Sequence, residues 1–295
     1  MIGMFIAIMG RRRGLPIPAC ALLLLVWIGV CSAAPPARIV SLAPNVTEVI
    51  CALGLERNLV GVTTFCDRPA SVRGKATVGG PANPSLERIL SLKPDMVVID
   101  EEGIGPSLSD RLGRLGIRTA LFHGSRLNGL ATGIRRLGRE LGAPERGEML
   151  AARMEHSLCP VTRKRPAPRV LFVIWPDPLI TVGSGTVIDD ALRLAGFDNI
   201  SAQAPGTYPR LSLEAVTERN PDLIIVGQGD SMRPPLEKMI RRLGYLEAVR
   251  KGRICYVGDA LYRSGPRIPE GIGELRGCAE RFLPDATKRR KGSGS

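Results

Sequence analysis

One stretch of this chain occurs twice. Ser85–Ile99 (SLERILSLKPDMVVI) returns as Ser212–Val226 (SLEAVTERNPDLIIV), every position displaced by 127 residues without a gap. Each copy opens on a serine able to accept from the first-turn N–H groups of a helix. A glutamate follows two residues on, where the positive end of the helix favours a negative charge. Each copy then meets a Pro-Asp stop and an apolar β-rich run. A lone helix–turn–strand unit is common in α/β proteins; two matched copies call for two similar lobes. They also place Glu87 and Glu214 at equivalent, outward-facing corners.

Short β-branched runs alternate with helical patterns on both sides of this repeat. In the first half, strands are predicted at Arg38–Leu42, Leu59–Thr63, Met96–Asp100 and Ile117–Phe122, with helices at Thr47–Leu53, Leu86–Leu92 and Ser107–Leu115. The second half resumes with a strand at Arg169–Trp175 and a helix at Val187–Ala195. Strands at Leu223–Gly227 and Arg253–Val257 follow, and a helix at Ile268–Phe282 closes it. Such alternation specifies an α/β fold with mostly parallel sheets. Between the halves, Ser125–Cys159 reads as helical with one break at Gly142-Ala143-Pro144, then a basic, proline-containing linker. The expected plan is therefore two α/β lobes, residues 38–124 and 169–283, bridged by a helical connector over 125–168. A helical connector resists bending, so small interlobe motion is expected.

Residues 1–34 read as a cleaved secretory signal: Arg11-Arg12-Arg13, an apolar run from Ala19 to Val30, then the small residues Ser32-Ala33-Ala34. The apolar run is shorter than the roughly 20 residues of a spanning helix. A lipid anchor would need a small residue before Cys31, and Val30 does not supply one. Export to an oxidising compartment permits disulfides, but the remaining cysteines (51, 66, 159, 255 and 278) are odd in number and irregular in spacing, which allows at most one or two bridges. The formal charge is +13, from 41 Lys+Arg against 28 Asp+Glu. Part of that excess is terminal, in the signal and in a basic tail over 284–295. Nucleic-acid binding would need aromatics among the basic residues, and aromatics make up only 4% of the chain.

No catalytic apparatus is legible. His123 and His156 are the only histidines and lie far apart, which gives no metal site; Gly183-Ser184-Gly185-Thr186 reads as a turn capping the next helix, not a phosphate cradle. Binding has more support, because the loops beyond the strand ends carry rings and charges. They hold Phe65, Asp67 and Arg68 after one strand, and in the second half Trp175, Ile180, Tyr208, Arg210, Asp259, Tyr262, Arg263 and Arg267. Rings offer contact area to a flat or bulky ligand, and guanidinium groups can fork onto its anionic groups.

Ile39–Glu48 (IVSLAPNVTE), Gly61–Thr64 with Asp67 and Pro69, the Ser85–Ile99 block and Ser264–Ile268 (SGPRI) together resemble periplasmic binding proteins of the cobalamin and ferric-siderophore class. The resemblance runs from about Arg38 to Phe282. It implies two Rossmann-like lobes and a shallow interlobe cleft that takes a metal chelate, cobalamin first and a ferric siderophore second, with no resident cofactor. It further implies a periplasmic monomer that docks on the permease dimer of an ABC importer, one lobe's Glu87 and the other's Glu214 entering arginine pockets. Phe65 and Tyr208 keep aromatic character at ligand positions, and Asp259 and Arg263 match a ligand-contacting polar pair. Gly80-Pro81, Asp100-Glu101 and Ile180 stand where the family has rings, with Pro81 expected at the ligand. Cys278 matches one end of a family disulfide, but Ala195 stands at the other, so that bridge is expected to be absent. An oxyanion carrier and a secreted α/β enzyme are the alternatives.

Overall fold

The computed structural model describes residues 35–101, 105–158, 166–227 and 233–282. The signal, the basic tail, Cys159 and most of the predicted linker lie outside these residues. Two five-stranded sheets form the lobes. The first has the order β3-β2-β1-β4-β5 and is parallel throughout: β1 Ile39–Ser41, β2 Leu59–Val62, β3 Ala76–Thr77, β4 Met96–Asp100 and β5 Arg118–Phe122. The second runs β10-β9-β6-β7, with β8 also paired to β6: β6 Arg169–Pro176, β7 Leu179–Thr181, β8 Asp198–Asn199, β9 Leu223–Gly227 and β10 Ile254–Val257. Here β7 is antiparallel to β6, a hairpin that the sequence reading did not contain. Among the described residues, no helix is long and apolar enough to cross a membrane.

Helix α1 (Pro44–Ala52) starts three residues before its predicted position, because Pro44 at the first turn brings a φ already suited to a helix. The repeat is matched atom by atom. Helices α2 (Leu86–Ser91), in the first lobe, and α7 (Leu213–Arg219), in the second, are capped by Ser85 and Ser212, which accept from Arg88 N and Ala215 N at 3.3 and 3.2 Å. Lys93 and Asn220 both close their helices in the left-handed region, at φ 45° and 39°. Asp95 then accepts from Arg38 N at 2.9 Å, just before β1, and Asp222 from Arg169 N at 2.7 Å, at the first residue of β6, so each repeat holds down the start of its lobe's central strand. The same arginines donate back to the helix ends, Arg38 to Leu92 O and Arg169 to Arg219 O.

The connector is a pair of helices rather than one strut. Helix α4 (Leu127–Glu140) and α5 (Pro144–Ser157) pack as an antiparallel hairpin, closed where Gly138 and Gly147 bring their backbones together. Arg135 forks onto both Glu148 and Glu155 at 2.7–2.9 Å. Leu127, Leu130, Ala131, Ile134 and Leu137, at helical spacing on α4, are buried. They belong to a single apolar core that runs from Ile39 and Val46 of one lobe to Val187, Ile188 and Leu275 of the other. The remaining helices are α3 (Gly105–Arg114), α6 (Val187–Leu194), α8 (Arg233–Arg242), α9 (Glu247–Arg250) and α10 (Ile268–Phe282); the sequence reading had missed α8 and α9.

Cys278 does form a disulfide, with Cys255 of β10. The partner is the strand beside α10, not the family position held here by buried Ala195. Cys51 and Cys66 remain thiols, and burial, with help from Glu56, pushes Cys51 up to about 12.

Candidate ligand cleft between the lobes

The strands of both sheets end toward each other, and a cavity of about 370 Å³ opens between those ends. Its first-lobe wall is Leu42–Asn45, where β1 enters α1, with Pro81, Ile99 and Asp100. The opposite wall is Ile174 of β6, Val187 and Ile188 at the start of α6, Tyr208, and Leu261–Ser264. Thr186 positions α6 by accepting from Asp189 N at 3.1 Å, the capping role expected of the Gly183–Thr186 turn.

Ion pairs tie the second lobe to the connector at one end of the row of strand ends and to the first lobe at the other. At the β5 end, Arg126 forks onto Asp190 of α6 through two contacts of 2.9 Å. At the β2 end, three carboxylates and three guanidiniums form one cluster. Buried Glu48 of α1 accepts from Arg267 Nε and Nη2 at 2.8 and 2.9 Å and from Arg263 Nη1 at 3.0 Å. Arg263 also donates to Asp67 at 2.6 Å, and Arg267 to both oxygens of Asp259 at 2.9 and 3.2 Å. Arg68 approaches Asp259 at 3.4 Å. Burial acts to raise the Asp67 and Asp259 carboxyls. The guanidinium hydrogen bonds and charges outweigh it and hold both below the ordinary aspartate value.

The structure thus gathers Asp67, Arg68, Asp259 and Arg263 into one cluster, and places Pro81, Tyr208 and Tyr262 on the cavity wall. Tyr262 packs on Phe172 and donates to Val173 O at 3.2 Å. Phe65 projects from the Asp67 loop, 65% exposed. Trp175 and Ile180 do not line the cavity. Strand alternation turns Ile174 inward and Trp175 outward, where its indole donates to Asp177 O of its own hairpin at 2.9 Å, with Ile180 as its cross-strand neighbour. Sequence reasoning had not singled out Glu48, Ile174, Val187 or Ile188. The period of two along β6 was a usable signal for Ile174; nothing local marks Glu48. His123 pairs with Glu101 at 2.8 Å beyond the ends of β5 and β4.

Glu87 and Glu214 are both exposed in the first turns of α2 and α7. Glu214 lies beside a second groove of about 270 Å³, walled by Pro178, Leu213, Met239 and Arg242 among others. Its carboxylate is held below the ordinary value by its own backbone N–H and the Ser212 hydroxyl.

A profile described as periplasmic binding protein matches residues 39–261. An uncharacterised ABC transporter substrate-binding lipoprotein of Bacillus subtilis, YvrC, is 32% identical, covering 86% of this chain and 82% of its own. The periplasmic vitamin B12 binding protein BtuF of Vibrio cholerae superposes with a TM-score of 0.72 at 25% identity, covering 86% of this chain and 99% of its own. A periplasmic heme binding protein of Pseudomonas aeruginosa gives 0.73 at 28% identity, covering 85% and 94%.

Proposed function

Because the chain belongs to the periplasmic binding protein family, we propose that its cleft captures a metal chelate of the corrinoid kind and that it hands this cargo to an ABC importer. The observation that carries the reading is the cleft itself. It is a preformed gap with apolar walls between two lobes that share one core, and the exposed rings of Phe65 and Tyr208 stand ready for a flat macrocycle. The similarity to a vitamin B12 binding protein and to an ABC substrate-binding lipoprotein supports the same choice. In this reading residues 1–34 direct export, the mature protein acts as a monomer, and Glu87 and Glu214 meet the two permease subunits.

The test is a calorimetric titration of the mature protein with cyanocobalamin. Calorimetry is preferred to fluorescence because Trp175 sits outside the cavity wall. Sub-micromolar one-to-one binding, weakened at least tenfold by Tyr208→Ala, is the expected result. Absence of binding would overturn the corrinoid assignment.

A further inference from the structure

Arg263 and Arg267 are already engaged by carboxylates, and half-exposed Arg68 approaches Asp259 at 3.4 Å. Arg267 spends its Nε, Nη1 and Nη2 groups on Glu48 and Asp259, and Arg263 spends Nη1 on Glu48 and Asp67. With Arg68 the cluster holds three positive and three negative charges, and is neutral. That balance is local: the whole chain carries 41 basic against 28 acidic side chains. Asp100 is the carboxylate on the cavity wall itself, where it accepts from Asn45 at 2.6 Å; of the cluster, Arg263 reaches that wall and the three carboxylates stand behind or beside it. Arg210, on the loop behind Tyr208, is exposed, and a lone charge in solvent is weakly felt.

We infer that Glu48, Asp67 and Asp259 set the charge of the ligand, so that the cleft selects an uncharged chelate with hydrogen-bond donors at its edge over a polyanionic one. This rests on the chelate-binding reading and narrows it. An arriving carboxylate would have to expel Asp67 or Asp259 from a guanidinium, which is unfavourable where water is partly excluded. An amide N–H meets no such barrier, because a carboxylate has about four lone-pair sites and neither aspartate is fully enclosed. A corrinoid, whose fringe is carboxamide, fits this charge pattern. A tetrapyrrole with free carboxylates does not.

The experiment compares hemin and cyanocobalamin binding to wild-type protein, Asp67→Asn, Asp67→Asn/Asp259→Asn and Glu237→Gln. The last makes the same charge change at an exposed position away from the cleft. Hemin should bind the double variant at least tenfold more tightly than wild type, and the single variant severalfold, with no gain in Glu237→Gln. Asp67 is half exposed, so its single variant carries the test if the double variant fails to fold. An unchanged hemin affinity, an equal gain in Glu237→Gln, or, in protein that does bind cyanocobalamin, hemin bound at least as tightly would overturn the inference. Wild-type protein that binds no cyanocobalamin would overturn the corrinoid reading instead, while the hemin comparison would still decide the charge inference.

Discussion

Glu48 and Arg267, 219 residues apart and on opposite lobes, share two hydrogen bonds of 2.8 and 2.9 Å, with the carboxylate almost fully buried. Removing one member of such a pair strands the other. Glu48→Ala is therefore expected to cost about 3 kcal/mol, read as a lowered urea midpoint. Glu48→Gln should cost less, because the amide oxygen still accepts from Arg267.

Acid should loosen the same seam. The Asp67 and Asp259 carboxyls sit below their unfolded value of about 4, so their contribution to stability is complete above that pH and is lost as pH falls through the lower, folded-state values. Urea midpoints followed from pH 7 to pH 3 should drop below about pH 4. The Asp67→Asn/Asp259→Asn variant should show a shallower drop.

Two glycines of α4 should respond in opposite directions. A Cβ at Gly138 would lie 2.9 Å from the Cα of Gly147, where the hairpin backbones touch, whereas a Cβ at Gly129 meets nothing within 4 Å. Gly129→Ala should stabilise by up to about 1 kcal/mol through helix propensity. Gly138→Ala should destabilise by about 1–3 kcal/mol by prying the pair apart. Thermal melts distinguish the signs.

The Cys255–Cys278 bridge closes a loop over a separation of 23 residues. Chain-entropy arguments give such a bridge about 3 kcal/mol. The Cys255→Ser/Cys278→Ser variant, and the reduced wild-type protein, should both unfold at lower urea concentration by that margin.

Charge reversal at the paired corners separates docking from capture. Glu87→Arg/Glu214→Arg should abolish uptake in cells carrying the cognate importer and leave the calorimetric affinity for cyanocobalamin within about twofold of wild type. Normal uptake would remove these two residues from the docking role.

What could be read beforehand was whatever is encoded locally. Ser85, Asp95, Ser212 and Asp222 act within one helix–turn–strand unit, so their pattern in the chain is also their pattern in space. Glu48 was illegible because its partners lie 215 and 219 residues away, and a carboxylate on a short helix looks like ordinary surface. Trp175 was misplaced by its residue type: large rings suggest pockets, but the parity of β6 and the β7 hairpin decide which way it points. The arginines were read as groups for an anionic ligand, whereas their partners in the structure are carboxylates of the other lobe or of their own loop. The Cys255–Cys278 pairing was left open because proximity of strand and helix, not spacing along the chain, decides it.

The shared core has a consequence for traffic. A body whose halves are fused through Val46, Ile134 and Ile188 is built against clapping shut on its cargo, so its empty and loaded forms are expected to present nearly the same outline to a partner. Under the proposed docking, empty molecules should compete with full ones for the same landing place, so an excess of unloaded protein should act as a competitive inhibitor of its own pathway.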